Sequence, residues 1–220
     1  MGVLSGLLRS GLLTGQHRRG AVHAAQTLKH ALLAGVIAAS TFSFAAHAQT
    51  PAVAATPSAV AADTRAEFKA LLPQAQLLGQ SRLTVWGFRV YDAQLWAAPG
   101  FNADRYASQP LALELAYLRA FDAVDIAERS IKEMRRSATI TDAQARQWSL
   151  DMQRVFPDVK VGDRIMGVHR PGIGASFWVN GKAGGDILDA EFSKLFFGIW
   201  LSPKTSEPAM RTALVGGAGS

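Results

Sequence analysis

Residues 156–211 read FPDVKVGDRIMGVHRPGIGASFWVNGKAGGDILDAEFSKLFFGIWLSPKTSEPAMR. They predict a strand, a turn, a second strand, a glycine-rich turn and a helix, which is the order in which an antiparallel sheet lays its last hairpin against a covering helix. That helix, expected from Asp189 to about Leu201, is apolar almost all round. A helix without a polar face must be covered on most sides, so it forms either part of the core or the wall of an apolar pocket.

Within this stretch, strands are expected at residues 164–169 and 175–179, with Asn180-Gly181 as the turn of a hairpin. Pro208 favours the start of a last short helix, because the missing N–H of proline costs nothing in the first helical turn.

The residues before this stretch change periodicity in blocks. Residues 82–86, 89–96 and 111–117 are rich in β-branched and aromatic side chains or alternate apolar with polar ones, and they predict three strands. A capping box, Thr141-x-x-Gln144, opens the second of two helices that follow. The first helix begins at Asp122, and its expected buried stripe is formed by Val124, Ala127, Ile131 and Met134. This order of elements implies an α+β fold, an antiparallel sheet with helices packed on one face.

The first 48 residues predict a signal peptide. The apolar run at residues 31–44 is too short to span a bilayer, and Ala46-His47-Ala48 fits a cleavage site. We therefore expect Sec export, cleavage after Ala48 and a periplasmic or secreted protein; the alternative is an uncleaved N-terminal anchor. Residues 49–64 are interpreted as a disordered Ala/Pro-rich tether, residues 65–215 as one domain and residues 216–220 as a flexible tail.

Charge and composition exclude several classes of function. The formal net charge is +6, but four of the 23 basic residues and none of the 17 acidic ones precede Gln49, which leaves +2 for the expected mature chain. That balance argues against nucleic-acid binding. The mature chain has no cysteine and one histidine, which excludes disulfides, Cys-His catalysis and His/Cys metal sites. We expect no metal and no cofactor, and we interpret the histidine, His169, as a solvated loop residue.

Several longer patterns point to a family. The chain has F-x-x-N-G at residues 177–181, G-x-I-x-D-x-x-F at 185–192 and FFGIWLSP-x-TS-x-P at 196–208, after LLGQSRLTVWGFRVYDAQLW at 77–96 and LALELAYLR at 111–119. With these it resembles the bacterial chalcone-isomerase-like proteins over roughly residues 68–215. The resemblance implies the open-faced β-sandwich of the chalcone isomerase fold.

The same resemblance implies where catalytic residues should lie. Plant chalcone isomerases close a flavanone ring with an Arg that holds the phenolate and hydroxyl donors that polarise the ketone. When the glycines of the family are aligned, Ser81 falls on the Arg position and Arg82 lies one residue late, which in a strand turns its side chain to the opposite face. The hydroxyl positions fall near Asp92 and on Leu195. The flavonoid-cyclising residues are therefore absent, unless a β-bulge returns Arg82 to the Arg position.

Fatty-acid-binding relatives with the same fold keep an apolar cavity with a few polar anchors. An Arg beside a Tyr at a cavity mouth holds a carboxylate through charge-assisted hydrogen bonds. The candidate ligand-binding residues are Arg82, Arg89, Tyr91, Tyr117, Arg119, Leu195 and Phe196. Our first hypothesis is an exported domain that binds a lipophilic small molecule, such as a fatty acid, without flavonoid cyclisation. Alternatively, the arginines are solvated strand residues and the tyrosines lie at the sheet edge.

Two other functions stay open. In the first, the chain is an isomerase of the intramolecular lyase type that acts on an enone or another conjugated carbonyl compound, with Arg82 or Arg119 as electrophile and Tyr117 as proton donor. In the second, the chain is a non-catalytic structural or interaction domain of the cell envelope. The expected partner is a small lipophilic or carboxylate ligand, with no nucleic acid and with membrane contact only during export.

Overall fold

The structure, a computed structural model, describes residues 68–216. The predicted signal peptide at 1–48, the predicted tether at 49–64 and residues 217–220 of the predicted tail lie outside the described residues, so these assignments stay predictions. No helix between residues 68 and 216 is both long and apolar enough to cross a membrane.

In the described part of the chain, six strands form one antiparallel sheet in which each strand pairs with the next along the chain. Their bounds are β1 Gln76–Val85, β2 Phe88–Ala97, β3 Leu111–Tyr117, β4 Arg164–Arg170, β5 Gly174–Val179 and β6 Lys182–Ile187. The predicted hairpin turn is confirmed, because Asn180 and Gly181 have φ values of 50° and 83° between β5 and β6. Positive φ at both central residues is what a type I′ two-residue hairpin turn requires.

Between residues 68 and 216, four complete α-helices and a short 3₁₀ helix connect or cover the strands, and residues 68–71 are also helical. Their bounds are α1 Ala123–Met134, α2 Asp142–Val155, α3 Ala190–Leu201, α4 Pro208–Val215 and, for the 3₁₀ helix, Ala103–Ser108. The predicted capping box is present at the start of α2, where the Thr141 side chain accepts from the Gln144 N–H and the Gln144 side chain accepts from the Thr141 N–H. Three strands, two helices, three strands and two helices confirm the predicted α+β class.

One face of the sheet, here called the inner face, packs against the four helices in the main hydrophobic core. Alternation in β3 turns Leu111, Leu113, Leu115 and Tyr117 into this core. The predicted apolar helix α3 contributes four buried aromatic rings to this core, those of Phe192, Phe196, Phe197 and Trp200. The Phe196 ring lies 5.4 to 6.0 Å from the rings of Phe156, Phe177, Phe192, Phe197 and Trp200.

The opposite face, here called the outer face, has a smaller apolar cluster. Phe68 and Leu72, at the start of the described residues, cover Ala112, Met166, Val168 and Trp178. The Phe68 and Trp96 rings meet edge to face, with centroids 5.8 Å apart. Elsewhere this face carries ion pairs, among them Arg82–Asp92 and Arg164–Glu114.

The interpretation of His169 as a solvated loop residue is wrong. His169 lies within β4 and is 1 % exposed, because the strand extends through it and turns it toward the inner face. Its Nε2 N–H donates to the Ala107 carbonyl at 3.1 Å, and the Ser193 hydroxyl donates to its Nδ1 at 2.6 Å. Burial lowers the pKa of His169. The neutral ring thus joins β4 to α3 and to the 3₁₀ helix.

Candidate functional site

Two tyrosines lie side by side on the inner face. Tyr91 of β2 and Tyr117 of β3 are direct partners in the strand register, and their ring centroids are 6.2 Å apart. Tyr117 is 5 % exposed. Tyr91 Oη accepts a hydrogen bond from Trp200 Nε1 of α3 at 3.0 Å. The sheet and the apolar helix are therefore joined by a polar contact inside an otherwise apolar interface.

Burial changes the acidity of both phenols. Desolvation raises the pKa of Tyr91 well above its usual range, against a smaller opposite effect of the Trp200 hydrogen bond. Desolvation also raises the pKa of Tyr117, with Tyr91 as the second cause. Both side chains are therefore neutral and retain their hydroxyl protons at physiological pH.

Helix α1 places an ion pair next to these phenols. Arg129 Nη2 lies 2.6 Å from Glu133 Oε1, and Arg136 Nε lies 3.7 Å from Glu133 Oε2. The Glu133 side chain is 5 % exposed and that of Arg129 is 19 % exposed. Within the described residues, neither Glu133 oxygen has a hydrogen bond of good geometry. A carboxylate this deeply buried depends on its charged neighbours.

Glu207, just before α4, completes this end of the interface. Burial raises the pKa of Glu207, the negative charge of Glu133 raises it further, and Arg129 lowers it. Charges at Glu207, Arg129 and Glu133 also act on the pKa of Tyr91. We use the name polar cluster for Tyr91, Tyr117, Arg129, Glu133, Trp200 and Glu207.

An aromatic wall continues directly from the polar cluster. The Trp200 ring lies 5.6 Å from that of Phe196, and the Tyr117 ring lies 6.0 Å from that of Phe121. Leu195 and Phe196 are 3 % and 7 % exposed and belong to the same core. This end of the sheet–helix interface therefore has an apolar body and a charged, hydrogen-bonding end.

Arg82 lies on the outer face. It pairs in register with Asp92, whereas its neighbour Leu83 pairs with Tyr91. Its guanidinium makes two hydrogen bonds to Asp92, Nε to Oδ1 at 2.6 Å and Nη2 to Oδ2 at 2.9 Å, and 45 % of its side chain is exposed. This contact lowers the pKa of Asp92. Arg82 and Tyr117, predicted to act together, therefore lie on opposite faces of the sheet.

The other predicted residues divide in the same way. Arg89 is exposed near the start of β2. The Arg119 guanidinium lies 5.0 Å from the centre of the Phe88 ring, which is half exposed. Tyr91, Tyr117, Leu195 and Phe196 meet in the inner-face core. The structure thus brings four of the seven predicted residues together and leaves the three arginines outside that group; their roles in binding or catalysis stay predictions.

The polar cluster also contains residues that the sequence did not single out. Glu133 and Arg129 were missed because the buried stripe of α1 was expected to run through Val124, which is instead 47 % exposed. The buried residues of α1 include Ala127, Ser130, Ile131, Glu133 and Met134, so the helix is rotated toward Glu133. Glu133, four residues after Arg129, was the available signal, since this spacing places oppositely charged side chains next to each other.

Comparisons with known proteins agree with this architecture. A family model described as chalcone isomerase-like matches residues 64–216. An uncharacterized protein of Haemophilus influenzae is 29% identical over 142 residues, which are 64% of this chain and 68% of that protein. Among solved structures, a fatty-acid binding protein of Arabidopsis thaliana superposes with a TM-score of 0.53 at 11% identity, over 66% of this chain and 88% of that one. The chain belongs to the chalcone isomerase-like family.

Proposed function

We propose that this protein binds a lipophilic small molecule with one polar end, between the inner face of the sheet and helices α1 and α3. One observation supports this above all: the buried polar cluster is continuous with the aromatic wall of α3. Sites for amphiphilic ligands combine a mostly apolar lining with a few convergent polar groups.

The energetics of the polar cluster favour a function over a purely structural role. Removing a charged pair from water usually costs more than the pair recovers, and a well-packed apolar pair would often stabilise a fold more. Here an almost fully buried carboxylate, an arginine and two neutral phenols occupy one end of an apolar interface. Groups with shifted pKa values concentrate at functional sites.

A carboxylate is the polar end that the cluster fits best. Arg129 Nη2 lies 2.6 Å from Glu133 Oε1, so this end of the interface contains a cation that attracts carboxylates. The neutral Tyr91 can donate its hydroxyl proton to a second oxygen. The structural neighbour from Arabidopsis is described as a fatty-acid binding protein, which supports a fatty acid or a similar carboxylate as the ligand.

Binding requires the aromatic wall to open. The Phe196 ring contacts five other rings in the structure, so an acyl chain must displace one or more of them. Turnover has less support than binding, because Arg82 and Tyr117 lie on opposite faces and do not form one site.

We further propose that residues 1–48 direct export and that the domain acts in the periplasm or outside the cell.

The test is native mass spectrometry of protein purified without detergent, together with analysis of an organic extract of the same sample. The wild type is expected to retain a lipophilic carboxylate that the extract releases. The double variant Arg129→Met/Glu133→Leu is expected to lose it, since the charged end is gone. Arg82→Gln is the matched control on the outer face and is expected to retain the ligand. Circular dichroism verifies that each variant is folded.

Two results would contradict the proposal. One is a wild type that contains no apolar molecule and takes up no fluorescent fatty acid. The other is a reversed pattern, in which Arg82→Gln loses the ligand and the double variant keeps it; this would return the site to the outer face.

A further inference from the structure

A groove of about 590 Å³ runs along the solvent side of the α1–α2 pair. Ile131 of α1 and Ala145 of α2 line it, and Leu150 borders it with 62 % of its surface exposed. Val124, also exposed, lies nearly two turns before Ile131 on α1. Ile131 itself is only 7 % exposed, so the apolar strip open to solvent consists of Leu150, which lines the groove, and Val124.

Cationic side chains surround one end of this groove. Lys132, Arg135 and Arg146 line it, and Arg135 also lines a second groove together with Arg136 and Lys204. Among residues 68–216, the single acidic residue that lines either groove is Glu128. We use the name basic groove for the two adjoining grooves.

The anionic neighbours of the basic groove neutralise it only in part. Asp142 lies 3.2 Å from Arg135, but its side chain is 87 % exposed and that of Arg135 is 45 % exposed. Exposed pairs of this kind are weak and screened by salt. Glu133 lies 3.7 Å from Arg136, whose side chain is 40 % exposed, and it is buried on the inner side of α1. Five cations and three carboxylates, those of Glu128, Asp142 and Glu133, thus leave a net positive charge on this surface.

The charges and the apolar strip are arranged along the helices. The Arg135–Asp142 contact shows that the end of α1 meets the start of α2. Leu150 lies two turns further along α2, and Val124 lies three turns before Arg135 on α1, so both are displaced from the cationic end. A surface with clustered cations beside exposed aliphatic side chains suits the boundary between lipid head groups and acyl chains.

We propose that the basic groove docks this protein onto an anionic bilayer surface. The cations contact the head groups, and Leu150 and Val124 contact the outer part of the acyl region. The same helix α1 holds Arg129 and Glu133 on its inner side, so docking brings the proposed ligand site next to the source of lipophilic ligands. The inference does not require ligand binding, and it extends beyond the membrane contact during export that the sequence predicted.

The test is sedimentation of the full chain with phosphatidylcholine vesicles and with vesicles of equal parts phosphatidylcholine and phosphatidylglycerol. The groove variant is Arg135→Gln/Arg146→Gln/Lys204→Gln. The control variant, Lys160→Gln/Lys182→Gln/Lys194→Gln, removes the same charge from exposed positions outside the basic groove. All three proteins share residues 1–67, so any binding by that segment cancels in the comparison.

We expect the wild type and the control variant to prefer anionic vesicles and the groove variant to bind them at least about tenfold more weakly, because each cation near an anionic surface adds attraction. Raising the salt from about 0.1 M to about 1 M shortens the Debye length from about 10 Å to about 3 Å and should remove the difference. Leu150→Glu, at an exposed site, tests the apolar strip independently if the groove variant fails to fold.

Three outcomes would overturn the proposal. Equal losses in both triple variants would assign binding to net charge alone. Equal binding of the wild type and the groove variant to anionic vesicles would exclude the basic groove. A wild type that binds soluble polyglutamate but not anionic vesicles would identify a docking surface for an acidic protein segment instead.

Discussion

Tyr91 Oη and Trp200 Nε1 form a 3.0 Å hydrogen bond across 109 residues of sequence, inside the interface between the sheet and α3. Tyr91→Phe leaves the indole N–H buried without this acceptor, so the free energy of unfolding should fall by about 1–3 kcal/mol. Trp200→Phe removes the donor but also apolar volume. In urea unfolding, Tyr91→Phe/Trp200→Phe should reduce the free energy of unfolding by about 1 kcal/mol less than the sum of the two single reductions. Strict additivity would show that this bond contributes nothing.

Variants of the Arg129–Glu133 pair distinguish a role in stability from a role in ligand binding. Glu133→Leu alone leaves most of the Arg129 side chain buried without its nearest carboxylate, and we expect it to lower the free energy of unfolding by about 3 kcal/mol. Arg129→Met/Glu133→Leu removes both charges and should recover most of that loss. A double variant as unstable as the single variant would show that the fold itself requires the pair, which contradicts its assignment to ligand binding.

The elements that were predictable from sequence are those whose signals are local. The capping box at Thr141 and Gln144 depends on residues three apart. The Asn180-Gly181 turn is likewise determined by two residues with positive φ. Such features form from neighbours in the chain and are therefore visible without the fold.

The candidate site depends on relations that the sequence does not express. The face occupied by Arg82 follows from its register with Asp92, which lies between the irregularities at Leu77/Gly79 and Leu83/Thr84. The burial of Glu133 follows from the rotation of α1 about its own axis against the sheet. The sequence pattern of a helix determines this rotation only when one side of the helix is polar along its whole length. Both are set by tertiary packing. The family resemblance, by contrast, was carried by long patterns and was confirmed.

His169 should make stability depend on pH. Burial lowers its folded-state pKa below 6.5, so between that lowered value and about 6.5 the unfolded chain binds a proton that the folded chain does not. The free energy of unfolding should therefore fall as the pH falls below about 6.5. Urea unfolding across pH 5 to 8 checks this, and His169→Leu should reduce the slope.

Glu207 provides the control for that pH dependence, because its effect has the opposite sign. Burial and Glu133 raise the pKa of Glu207, so the folded state keeps its proton to a higher pH and gains stability as the pH falls toward that pKa. Glu207→Gln should therefore steepen the loss of stability at acid pH. An unchanged slope in both variants would show that other groups dominate.

Export is tested by the mass of the mature chain. When the full sequence is expressed in a bacterium that exports proteins, the envelope fraction should contain a chain that begins at Gln49. Ala48→Arg should block cleavage, because signal peptidase sites need a small residue there. Recovery of a chain that still begins at Met1 in the membrane fraction would support the N-terminal anchor instead.

Gly198 and Tyr106 give the sharpest test of packing near α3. A Cβ at Gly198 would lie 2.5 Å from Tyr106 Oη, which itself donates to the Lys194 carbonyl at 3.2 Å. Gly198→Ala should therefore lower the free energy of unfolding by about 1–3 kcal/mol, although alanine normally favours a helix. Tyr106→Phe removes the clashing oxygen, so the double variant should be more stable than Gly198→Ala alone. A Gly198→Ala protein that unfolds like the wild type would mean that the 3₁₀ helix can move away from α3.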